Sequence, residues 1–284
     1  MANSLKCSPE ALMLSGLVLL LGCRPHQPLY HKTFSPEEKT QLARTLTEGI
    51  GTYYQGSPAA SMLLQEALAY DSNYAECWRE IGVPFLKRGL ITAFPSTYGK
   101  SAELDPVGWQ GWRGYLYLYF YRDYRRALAD FDVTDTLTPN MVDYPQSMSV
   151  DFLRGICYLQ MKDYEKALAY LDTHIRYETE RVGLKYLDAK AFLYKGIALL
   201  ALEQPEAAQV SFELGLSVEA GNADLLYWLA KTLAQRGQRE QAESRLHEAM
   251  NQFKKGKHNT TAYVEEFYQI YWPDLEALAK QLKQ

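Results

Sequence analysis

The feature that most limits what this chain can fold into is a spacing pattern that keeps returning. A small residue is followed four positions later by a large apolar one, and usually three after that by another small one. It appears at Ala60, Leu64 and Ala67, then at Ala127, Phe131 and Thr134, and at Ala167, Leu171 and His174. It returns at Ala208, Phe212 and Gly215, and at Ala242, Leu246 and Ala249. Phe94, Tyr98 and Ser101 hold the same phase with a bulky first member. Offsets of four and seven place all three residues on one face of a helix. The leading positions 60, 94, 127, 167, 208 and 242 are separated by 34, 33, 40, 41 and 34 residues. Apolar periodicity between these points is helical throughout, with no sustained strand alternation. The expected fold class is therefore all-α, built from a repeating unit.

A second helix precedes each of these. It carries a small residue where the pair must approach closely, at Gly82, Gly155, Gly196 and Ala230, flanked by bulky anchors such as Trp78, Tyr158, Phe192 and Leu226. Turns within the pairs read RDY at 122–124, KDY at 162–164, EQP at 203–205 and RGQ at 236–238. Exits at 104–106 (LDP) and 137–139 (LTP) end in proline, which blocks helix continuation. The period and these residues resemble the tetratricopeptide repeat, a helix-turn-helix of about 34 residues. The clearest copies begin near Ala75, Ala189 and Ala223, with others near Trp109 and Met148, and one near Gln41 that suits a terminal cap. The resemblance implies a right-handed α-solenoid of five to six repeats with a concave groove. The two longer steps imply insertions, at NMVDYPQS (140–147) and as an extended helix near YETERVGLKYLDAK. TAYVEEFYQIYW (261–272) and the segment after Pro273 read as capping helices over the last apolar face.

The amino-terminal region carries a different signal. Residues 11–21 (ALMLSGLVLLL) are uncharged and apolar, too short for a membrane-spanning helix of about 20 residues, and preceded by Lys6. Leu20-Leu21-Gly22-Cys23 closes the run and resembles the lipobox of bacterial lipoproteins. That resemblance implies cleavage before Cys23 and lipidation of its thiol, which would hold the protein on a membrane without spanning it. Arg24 after the Cys implies the outer membrane, facing the periplasm. The expected organisation is a signal peptide at 1–22, a proline-containing tether at 23–36, the repeat array at 37–256 and capping helices at 257–284.

No catalytic constellation is evident. His26, His31, His174, His247 and His258 form no metal-ligand spacing, and there is no phosphate loop or nucleophile elbow. Gly108, Gly111 and Gly114 fit close helix contact better than phosphate binding. No cofactor or metal is implied, and 30 basic against 34 acidic side chains give no excess for nucleic acid. Cys77 and Cys157 fall in first helices two repeats apart, too far for a disulfide, so both should be free and buried.

A binding surface remains. In tetratricopeptide proteins the groove is lined by the first helices. On matching positions this implies Glu76, Arg79, Val83 and Lys87, then Gln110, Arg113, Tyr117, Phe120 and Tyr121, and further along Phe152, Gln160, Lys190, Tyr227, Lys231 and Gln235. The stretch 109–126 (WQGWRGYLYLYFYRDYRR) concentrates Trp, Tyr and Arg, the residues that most often carry binding energy. Its rings admit two placements, as a hot spot centred on Tyr117 and Tyr121 or as core. The expected function is a lipid-anchored, non-enzymatic adaptor that holds proteins or extended peptides at the cell envelope, in outer-membrane, pilus or cell-wall assembly. A carbohydrate-binding lipoprotein using groove aromatics is the alternative, and an envelope enzyme a weaker one.

Overall fold

The computed structural model describes residues 33–284. The apolar run, the lipobox-like residues 20–23 and most of the expected tether lie outside the described residues. Within them the chain forms thirteen α-helices and no strand. The described residues divide into two compact units, 33–84 and 85–284.

In the first unit, α1 (Pro36–Gly49) starts from a capping box: Ser35 Oγ accepts from Glu38 N–H while Glu38 accepts from Ser35 N–H. Helix α2 (Pro58–Tyr70) has a simpler start, with Ser57 Oγ accepting from Ala60 N–H and Pro58 in the first turn. Ala43, Leu64 and Ala67 close the contact between the two helices. Cys77, from the start of α3 (Ala75–Lys87), joins that core and donates its thiol to Leu64 O at 3.2 Å.

The second unit contains α4 (Phe94–Leu104), followed by four antiparallel pairs. These are α5 (Pro106–Tyr119) with α6 (Tyr124–Leu137), and α7 (Val150–Gln160) with α8 (Tyr164–Val182). Then come α9 (Ala189–Ala201) with α10 (Pro205–Val218), and α11 (Ala223–Gln235) with α12 (Arg239–Lys254). The pairs stack into an α-solenoid.

Each pair closes on a small residue. A Cβ placed on Gly114 would lie 2.6 Å from the Phe131 ring, one on Gly155 2.7 Å from Leu171, and one on Gly196 2.3 Å from Phe212. Ala230 fills that place in the last pair and is fully buried. The recurrent small and large residues of the second helices are all buried, from Ala127 and Phe131 through Ala242 and Leu246.

The turns repeat as faithfully as the helices. Arg122, Lys162, Glu203 and Gly237 all sit at positive φ, between 53° and 73°. The next N–H returns to a carbonyl five residues back in three of them (Asp163 to Tyr158, Gln204 to Leu199, Gln238 to Leu233), a Schellman-type closure of the first helix.

The long steps have two sources. Residues 138–149 form an irregular connector containing a single 3-10 turn, Pro145–Ser147, as expected for an insertion there. Helix α8 reaches 19 residues but stops at Val182, where Gly183 (φ 92°) ends it and a 3-10 turn, Leu184–Tyr186, leads to α9. Cys77 and Cys157 are free and buried. Burial raises the thiol of Cys77 to about 11 and that of Cys157 further.

The carboxy-terminal expectation needs correcting. Residues 261–271 are not helical, and only α13 (Trp272–Leu282) caps the array, packing on α12 and α11. Pro273 does not split two helices; it occupies the first turn of one. Tyr263, Phe267 and Ile270 have helical spacing, but the Tyr263 ring meets Lys87 and the Phe267 ring meets Tyr119, and Tyr268 at φ 55° breaks the path.

Candidate peptide-binding groove

The first helices α5, α7, α9 and α11 present one shared surface, and the chain's own residues 257–271 lie along it. The contacts come from equivalent positions. Counting from the small residue of each first helix, Lys190 and Asp224 lie six before, Tyr194 and Trp228 two before, and Tyr119 and Gln160 five after. All six meet this segment.

Asp224 secures both ends. Its carboxylate accepts from Asn259 N–H at 2.7 Å and from Ile270 N–H at 3.4 Å. It is fully buried, and burial raises its pKa to about 6 against those backbone bonds. Between these ends, Glu266 is 3% exposed. It accepts from Tyr194 OH at 3.0 Å and faces Lys190 Nζ at 3.4 Å. Burial opposes the charge on Lys190, but Asp188 and Glu266 outweigh it and raise its pKa.

Phe267 is 5% exposed, packs edge-on to Tyr119 at 5.2 Å and lies under the Arg122 guanidinium at 4.0 Å. Arg122 also donates to Glu265 O. Tyr268 meets Tyr194 and Trp228 and hydrogen-bonds Gln160. Lys87 Nζ lies 5.2 Å from the Tyr263 ring centre. Burial raises the phenols of Tyr119 and Tyr194 well above their ordinary value.

The expected site residues distribute unevenly. Gln160 and Lys190 contact the segment, as does Lys87. Phe152 is a buried wall between Tyr194 (5.8 Å) and His174 (5.1 Å). Tyr227 lies half-buried against Trp228, Lys231 covers the Trp228 ring at 4.6 Å, and Gln235 is exposed at the end of α11. Glu76 and Arg79 pair with each other at 2.8 Å on α3 in the first unit.

The third-repeat residues are corrected. Gln110 and Arg113 point into their own hairpin. Gln110 Nε2 donates to Asp130 Oδ1 at 2.6 Å, and Arg113 holds the same carboxylate through two bonds of 2.8 Å. Tyr117 and Tyr121 pack on Phe94 of α4 at 5.1 and 4.9 Å, and Tyr121 OH donates to Ile91 O. Phe120 is half-buried against the core. Gly114 is the true counterpart of Gly155 and Gly196, so those five positions were two residues out of register. Two residues turn a helix by about 200°, which moves a groove face to the opposite side. In phase, Tyr119 faces the groove. Arg122, Tyr194, Asp224 and Trp228 were also missed, although four of these five, all but Arg122, sit at positions that repeat.

A separate pocket of roughly 600 Å3 opens between the two insertions, lined by Tyr144, Ser149, Phe152, His174, Glu178 and Arg181 among others. Ser149 Oγ lies 2.8 Å from His174 Nδ1, but the same oxygen caps α7 by accepting from Phe152 N–H. Burial lowers the pKa of His174. Burial opposes the Glu178 charge, yet bonds from Arg181 and Tyr144 lower its pKa overall. These contacts pin the insertions to α7 and α8. Among the described residues, no group of three or more His, Cys, Asp or Glu is placed to hold a metal.

A family profile described as tetratricopeptide repeat matches residues 199–258, the end of α9 through α12. Residues 199–258 are thus tetratricopeptide-repeat in sequence, and the chain has the fold of tetratricopeptide-repeat proteins. Its fold is similar to that of PilW, a widely conserved type IV pilus biogenesis factor, with a TM-score of 0.60 and 18% identity over 87% of this chain and 100% of that one. A tetratricopeptide repeat protein from Parabacteroides merdae matches over 95% of this chain and 91% of its own, at a TM-score of 0.51 and 15% identity. MamA matches over 62% and 96%, at 0.51 and 17%. These identities carry the fold alone. No curated relative matches the sequence.

Proposed function

We propose that this protein is a lipid-anchored adaptor that holds extended segments of other proteins at the bacterial envelope. The observation that carries the reading is the groove itself: four first helices grip a non-helical stretch of chain through repeated positions. Helices spend their backbone groups internally, so such a surface binds an extended segment through side chains. The rings of Tyr119, Tyr194 and Trp228 are met edge-on or tilted by Phe267 and Tyr268, side chains of a peptide segment, which favours a peptide over the carbohydrate alternative. The lipobox at 20–23, with Arg24 after it, supports anchoring in the outer membrane. The likeness to PilW, a pilus biogenesis factor, makes envelope assembly, and pili within it, the context to test first.

Two experiments test the two halves. Cys23→Ser should abolish incorporation of labelled palmitate and release the protein from the membrane fraction; retention of label would refute the anchor. A photo-crosslinking residue at Gln235, on the groove rim, should trap partner proteins in cells, whereas one at Glu213 on exposed α10 should not. Equal trapping at both sites, or none at Gln235, would refute the groove as the binding surface.

A further inference from the structure

Neighbouring helices in this array are joined by very short turns. Only 120–123 separate α5 from α6, and only 161–163 separate α7 from α8. Helices α12 and α13 also pack directly on each other, yet residues 255–271 intervene. Structureless connections of this length are uncommon in compact proteins and are mostly functional. This one leaves at Gly256 (φ 75°), travels the groove, and returns to start α13 beside the helix it left. The cap is held by its own packing on α12 and α11, so its placement does not require this path.

Resting on the peptide-binding reading above, we infer that residues 261–270 are a tethered stand-in for the partner's segment, and that they spell its chemistry. The groove recognises an extended peptide with an acidic residue directly followed by two aromatics. Lys190 Nζ and Tyr194 OH receive the carboxylate of Glu266. Tyr119 and the Arg122 guanidinium enclose the first ring, Phe267. Tyr194 and Trp228 meet the second, Tyr268. Arg122 also takes the carbonyl of the residue before the acid, which fixes the direction of the peptide. A short tether gives its own segment an effective concentration in the millimolar range. A partner therefore binds with its affinity reduced by the fraction of molecules whose groove is open.

The probe is a labelled peptide of residues 261–271, TAYVEEFYQIY, titrated into the full chain. A Glu266→Gln/Phe267→Ala variant, with its own segment weakened, should bind this peptide at least tenfold more tightly than the wild type. A peptide carrying the same two changes should not bind. A variant that keeps its helical circular dichroism but binds no more tightly overturns the inference. Hydrogen exchange on the wild type decides the matter if the variant does not fold. The amides of Asn259, Phe267 and Ile270 should exchange through local opening, ahead of the cores of α9 and α11. Exchange only together with those cores overturns the inference. So does a dimer in which two copies trade segments, since the occupant is then a second copy. Crosslinking from Gln235 with failure here removes only the stand-in; loss of both removes the scaffold reading as well.

Discussion

Asp224 offers the sharpest test of the groove's electrostatics. Its carboxyl is fully buried and its pKa is raised to about 6, while an unfolded aspartate titrates at 3.8. The folded state therefore binds this proton more tightly than the unfolded state. Its contribution to stability is complete below about 3.8 and is lost as pH rises through 6. Two pKa units correspond to about 3 kcal/mol over the whole window, of which about 1 kcal/mol appears between pH 7 and pH 5. Other groups act in the same range. His174, whose pKa is lowered by burial, works in the opposite direction as pH falls below 6.5. The difference between the wild type and Asp224→Asn cancels those terms. Asparagine keeps one acceptor for Asn259 or Ile270 and removes the titration. Urea unfolding at pH 7 and pH 5, followed by circular dichroism, should show the wild type gaining about 1 kcal/mol more than the variant on acidification. Equal changes in both proteins, or a larger gain in the variant, would refute the reasoning.

Other perturbations test the packing and the register. Gly196→Ala drives a methyl into the buried Phe212 ring and should destabilise by about 1–2 kcal/mol despite better helix propensity, whereas Gly99→Ala in α4 meets nothing closer than 3.9 Å and should be neutral or stabilising by thermal denaturation. Asp130→Ala strands Gln110 and Arg113 inside their hairpin, at a loss of about 2–3 kcal/mol in urea unfolding, without weakening binding of the 261–271 peptide to the loosened variant. Glu203→Gly relieves a left-handed residue in the α9–α10 turn and should stabilise by about 0.5–1 kcal/mol in the same assay.

The repeat was legible because its interfaces are built from extremes of size. Gly155 against Leu171 and Gly196 against Phe212 leave a spacing that no side-chain chemistry obscures. The third repeat was misread for the same reason in reverse. Gly108, Gly111 and Gly114 follow one another at three-residue intervals, and the fit of Gly114 to Phe131 is what sets the register of this helix. Placed two residues out of that register, Gln110, Arg113, Tyr117, Phe120 and Tyr121 were all rotated away from their true faces. The segment at 257–271 was hidden differently. Tyr263, Phe267 and Ile270 recur at helical intervals, so local periodicity suggested a helix. Long-range demand overrode it, because Glu266, Phe267 and Tyr268 each meet residues from a different set of first helices. Nothing within the segment itself encodes those partners.

The excess of tyrosine, 22 residues in the chain, follows in part from what a helical groove must do. An extended segment arrives with unpaired backbone groups, and helices that have spent their own N–H and C=O groups internally offer it none. The wall must then supply apolar bulk and a polar tip from the same side chain. Tyrosine does this with little rotamer entropy to lose. Tyr194 shows the principle, with its ring fully buried against Phe152 and its hydroxyl donated to Glu266. Phenylalanine at 194 would keep the packing and leave a buried carboxylate with Lys190 as its one remaining side-chain donor. Asp224 and Lys190, presented by helices, and Arg122, presented by the turn between α5 and α6, complete the task for backbone and charge. Tyrosines whose hydroxyl the architecture uses elsewhere mark other seams, as Tyr121 does toward Ile91 O and Tyr144 toward Glu178. Their number therefore reflects how many irregular segments, one groove occupant and two insertions among them, this array holds against helices.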